Sequence, residues 1–159
     1  MPTQTNLKVL KPSRKRLKEG DIFVLQPDDQ YLFGRVIKTD AIGGGFANCV
    51  LIYIFRVRRA SKELPPRSDL SPDKLLVPPI TTSRLLWSRG YFETIAQLPL
   101  EPDDVLKQHC FRSTQGKYYD ESGNELAGPV EPVGKWGLMT FRGVENEISD
   151  ALGIPRALD

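Results

Sequence analysis

A chain of 159 residues with 13 glycines and 13 prolines, 40% hydrophobic and 26% charged, is too punctuated for a helical bundle and too apolar for a disordered chain. It has the size of one domain that buries its own core without a disulfide or a metal. The net charge of +2 hides a split, because residues 1–92 carry 16 Lys+Arg against 8 Asp+Glu (+8) while residues 93–159 carry 6 against 12 (−6).

The chain opens on a basic cluster, Lys8, Lys11, Arg14, Lys15, Arg16 and Lys18. Ahead of the first strand signal, this predicts a basic, mobile N-terminal arm over residues 1–17 and a single β-rich domain over 18–159. Gly20 and Asp21 lead into residues 22–26, apolar on both alternating faces and too short for a helix, which is the pattern of a buried strand. After a turn at Pro27, a second strand over residues 31–38 contains Gly34, a sign of a bulge or sharp bend. The triple glycine 43–45 makes a flexible connection to residues 48–58, the longest β-branched and aromatic run and the expected central strand. Three such strands form an antiparallel meander, either a small bent sheet or an SH3-like barrel.

Residues 61–73 read as an exposed loop in which Ser71 and Pro72 start a helical turn. Pro78 and Pro79 exclude a central strand and predict an extended path at the surface or a sheet edge. A strand over 91–97 follows, then a helix start at Glu101 and Pro102 with carboxylates near its positive end. A hairpin turns at Gln115 and Gly116. Val144, Ile148 and Leu152 at helical spacing, with Gly153 and Pro155 as stop signals, predict a C-terminal amphipathic helix.

Chemistry is hard to find along this path. His109, the sole histidine, adjoins Cys110, so on a strand the two side chains face opposite sides and cannot act together. Cys49 and Cys110 show no CxxC spacing and read as buried free thiols of a reducing cytoplasm. One histidine and two distant cysteines do not make a zinc site, so no metal, cofactor or catalytic residue is expected. The glycine run lacks the Lys and hydroxyl of a phosphate-binding loop. The longest apolar run, residues 50–55, is far below the roughly 20 residues that cross a bilayer, and no secretory h-region is visible.

Binding is the better expectation. Residues 87–93 combine Trp87, Arg89, Tyr91 and Glu93, residue types that dominate interface energetics. Asp103, Asp104, Asp120 and Glu121 belong to the acidic half, which is expected to attract a basic partner. The alternative is a nucleic-acid-binding small β-barrel that uses the basic arm with Arg56, Arg58 and Arg59.

Four segments in order, residues 18–23 (KEGDIF), 33–36 (FGRV), 78–80 (PPI) and 87–92 (WSRGYF), resemble the immunity protein 26 family of bacterial polymorphic toxin systems. The resemblance spans residues 18 to 125. It implies a cytoplasmic antidote that binds a cognate toxin domain and blocks it, with no enzymatic activity. It supplies no catalytic residues, and the expected partner is a protein rather than nucleic acid; if the toxin is a nuclease, the acidic half would occupy its positive cleft as a phosphate mimic.

Overall fold

A computed structural model describes residues 5–157. Its strands are β1 (Asp21–Leu25), β2 (Tyr31–Gly43), β3 (Phe46–Arg59), β4 (Ile80–Thr82), β5 (Glu93–Gln97), β6 (Cys110–Arg112), β7 (Tyr118–Tyr119), β8 (Glu125–Leu126) and β9 (Val133–Lys135). The helices are α1 (Leu85–Ser88) and α2 (Phe141–Leu152), with 3-10 turns at Arg67–Leu70 and Pro102–Asp104. The fold is mainly β. A five-stranded antiparallel sheet has the order β4-β3-β2-β1-β5, and a smaller sheet has the order β8-β7-β6-β9, in which only β6 and β9 run parallel. Neither sheet closes into a barrel. β2 rather than β3 takes the middle position, because β5 adds beyond β1.

Alternation along the strands sorts the core onto two faces of the large sheet. Phe23, Leu25, Val36, Ile52 and Ile54 pack on the side of Trp87, Phe92, Val144 and Ile148. Ile22, Val24, Phe33, Leu51 and Phe55 pack on the other side, against Leu70, Leu75 and Phe111. Both faces are covered, which is why β1 is apolar from Ile22 to Leu25.

Gly34 sits where the β2–β3 register shifts between Leu32 and Gly34. A Cβ there would run into the Phe23 ring and the Tyr53 carbonyl oxygen. The triple glycine forms a tight hairpin: Gly43 pairs with Phe46, and Gly44 and Gly45 take φ of 61° and 87°, the backbone that a two-residue hairpin turn requires. Beyond β4 the flank of β3 continues as an extended segment, with Arg56 N–H donating to Lys74 O (2.9 Å) and Leu76 N–H to Ile54 O (2.8 Å). The diproline follows at the sheet edge, where missing N–H groups cost nothing.

The helical turn expected at Ser71 forms one turn earlier, at Arg67–Leu70. α2 is capped by the Thr140 side chain, which accepts from Gly143 N–H at 3.2 Å, and ends on left-handed Gly153 at φ 70°. Both cysteines are buried and free.

The segment read as a mobile arm is docked from residue 5 onward. Leu7 and Leu17 are buried. Lys8 N–H donates to Gln26 O (3.0 Å), Leu10 N–H to Gly90 O (2.7 Å) and Ser13 N–H to Trp87 O (3.0 Å). The Glu145 carboxylate, 0% exposed, accepts from the N–H groups of Asn6 (2.7 Å) and Leu7 (3.0 Å). Charge density hid two apolar anchors spaced ten residues apart, too far to show a period.

Candidate binding surface

The large sheet is open at β5. One side of this strand pairs with β1, and no described residue pairs with the other. Residues 11–18 run beside this strand as a strap, held by the Ser13 bond, by buried Leu17 and by Lys18 N–H donating to the Asp21 carboxylate at 2.9 Å. Between strap and strand lies a groove of about 440 Å³, lined by Lys11, Lys15, Arg16, Lys18, Trp87 and Glu93 among others. The sequence shows this basic cluster plainly but not its wall position, which depends on Leu7 and Leu17 anchoring the strap.

The eight residues singled out for partner contact occupy three separate places. Trp87 is 2% exposed and belongs to the core, edge-on to Phe23 (5.2 Å between centroids) and Phe92 (5.1 Å). Arg89 caps α1 and is exposed. Tyr91 stacks on Phe141 at 4.3 Å, and the Glu93 carboxylate pairs with Lys62 at 2.8 Å. Asp103 lies exposed in the Pro102–Asp104 turn. Asp120 accepts from the N–H groups of Ser122 and Asn124 (2.9 Å each), fixing the turn between β7 and β8. Of the eight, Trp87 and Glu93 share the lining of the groove.

Asp104 is no surface residue. It is 6% exposed and its carboxylate accepts from Glu101 N–H (2.7 Å) and from Arg67, with the Arg35 guanidinium 3.3 Å away. Arg35 is 1% exposed and also donates to Leu98 O at 2.7 Å. Burial pushes the Asp104 carboxyl up, but its Glu101 and Arg67 hydrogen bonds and the Arg35 charge outweigh this and hold it below the ordinary range. Burial pulls the Arg35 guanidinium down, opposed by Asp104.

Glu121 is likewise engaged. Its carboxylate lies 3.2 Å from His109 Nδ1, and His109 Nε2 lies 2.6 Å from the Tyr53 hydroxyl, whose oxygen accepts Leu106 N–H at 3.0 Å. The His109 ring thus bridges the Tyr53 hydroxyl and the Glu121 carboxylate. His109 holds Glu121 below the ordinary carboxylate range against the effect of burial, and burial pushes Tyr53 up to about 12. Tyr53 is 0% and His109 4% exposed, and the three tie the two sheets together. Spacing along the chain gave no hint of the trio, since its members come from β3, the β6 approach and the β7–β8 turn.

Five of the twelve carboxylate residues in the acidic half, Glu93, Asp104, Glu145, Glu147 and Asp150, are ion-paired within the chain, and Glu121 lies against His109. The −6 count therefore overstates the negative surface. Among the described residues no group of three or more His, Cys, Asp or Glu side chains is placed to hold a metal ion, and no helix is long and apolar enough to cross a membrane.

No curated protein and no solved structure matches this chain. The family model for Immunity protein 26 does, over residues 18–120. That stretch runs from the end of the strap through the whole large sheet and the first hairpin of the small one, and it contains Arg35, Asp104 and the Trp87 segment. With close to two thirds of its length matched, the chain belongs to the Immunity protein 26 family.

Proposed function

We propose that this protein is a cytoplasmic bacterial antidote of a polymorphic toxin system, which neutralises a cognate toxin domain by binding and covering it, without catalysis. The family match over residues 18–120 is the observation that carries this reading. The architecture supports it: two anchored sheets and a docked strap form a body whose contact groups are in place before encounter, which lowers the ordering cost of a tight complex. Arg89, Tyr91 and Glu93, in the segment that leads into β5, are the proposed contacts beside the groove. Asp103 and Asp120 are proposed contacts on the acidic side.

Co-expression with the toxin domain encoded beside its gene tests the proposal. Growth restored by this chain, with the two proteins co-purifying, supports it. A toxin that remains lethal at equal expression overturns it. The nucleic-acid alternative predicts gel-shift affinity falling steeply with salt; the antidote reading predicts only weak retention.

A further inference from the structure

We propose that the groove between β5 and the basic strap receives an extended acidic segment of a partner protein, which adds a strand to β5 while its carboxylates meet Lys11, Lys15, Arg16 and Lys18. The two edges of the large sheet are treated differently. Beyond β4 the edge is occupied, since Met139 N–H donates to Thr81 O and the Thr82 hydroxyl to Met139 O, both at 2.8 Å. Beyond β5 it is open, and its free N–H and C=O groups are a template for another strand.

The charge of the groove selects the occupant. Lys11, Lys15, Arg16 and Lys18 line it, and none of the four is ion-paired among the described residues. The carboxylates on the same walls are already used, Glu93 by Lys62 and Asp21 by Lys18 N–H. An acidic strand thus meets four uncommitted cations along a strand edge about 17 Å long, at about 3.3 Å per residue. The Trp87 indole nitrogen, buried in a residue that lines the groove, has no hydrogen-bond partner. Nucleic acid fits less well: it has no peptide ladder to offer β5, and Trp87 at 2% exposure gives its bases no stacking platform. That the partner is the toxin rests on the function proposed above; the chemistry of the groove does not.

The probe is a fluorescein-labelled, end-capped peptide of about nine residues alternating Val or Thr with Glu, long enough to span β5. Its anisotropy is titrated with the full chain. Controls are the same peptide with Lys for Glu, the same peptide N-methylated at alternate residues, and a labelled oligothymidylate. The acidic peptide is expected to bind, and all three controls to bind at least about tenfold more weakly, because each loses either the charge match or the ladder. The double variant Lys15→Glu/Arg16→Glu, at exposed positions, is expected to weaken the acidic peptide by a similar factor. No binding of the acidic peptide, equal binding of the N-methylated form or tighter binding of the oligothymidylate overturns the proposal, and leaves the cations as guards against edge-to-edge aggregation.

The toxin assay separates the two claims. Rescue by the wild type and equally by the double variant excludes the toxin as the occupant of the groove and leaves the antidote function standing. Peptide binding by a chain that fails to rescue overturns the function but not the groove.

Discussion

Arg35 is a full charge at 1% exposure, and its placement depends on Asp104. Removing one partner of a buried pair leaves the other uncompensated, so Asp104→Ala is expected to destabilise by roughly 3–5 kcal/mol, whereas the double change Arg35→Met/Asp104→Leu costs much less. Urea unfolding of the two variants checks this, and equal losses contradict it. Asp104 and Glu121 are also the acid-sensitive points. Both are more acidic in the folded chain than unfolded, so their contribution is complete above ordinary carboxylate values and declines as pH falls through the folded ones, below about 4. Urea midpoints measured between neutral pH and pH 3 should fall over that window, and Glu121→Gln should make the fall shallower. At Gly34 the Phe23 ring occupies the place of a side chain, and Gly34→Ala is expected to cost roughly 1–3 kcal/mol by overpacking. The sequence marks Gly34 through its chain position and Asp104 through the proline before it. It cannot mark Arg35 or Tyr53, whose side-chain partners Asp104 and His109 lie more than 50 residues away along the chain.

Elements that depend on local pattern were readable. β1 and β3 follow from β-branched runs with both faces apolar, the β6–β7 hairpin from Gly116, and α2 from its spacing and its Gly153 stop. Thr140 makes a cap bond to Gly143 N–H, and Thr140→Ala is expected to lower stability by about 0.5–2 kcal/mol, measured as a shift in thermal midpoint; no shift contradicts the cap. Residues 84–92 resist such reading. They pass from α1 through left-handed Gly90 to β5 within a few residues, shorter than any period. Trp87 is an interface type by composition, yet its neighbours Phe23 and Phe92 draw it into the core. Composition reports what a side chain prefers to contact; the turn around it decides whether that contact is inside or out.

At the scale of the molecule, the docking of residues 5–17 is the feature that the charge pattern concealed. Leu7, Leu17 and the Glu145 carboxylate bind the strap to the body. Deleting residues 1–17 is therefore expected to lower the thermal midpoint by several degrees and, with the groove wall gone, to abolish binding of the acidic peptide. An unchanged midpoint would show the strap to be dispensable. A body held this way, with several of its carboxylates paired within the chain and a basic groove beside an open sheet edge, is suited to covering another protein. The direct test is a titration of the neighbouring toxin domain's activity with the purified chain. Activity should fall linearly to zero at one antidote per toxin; full toxin activity in a tenfold excess of the chain would contradict the account.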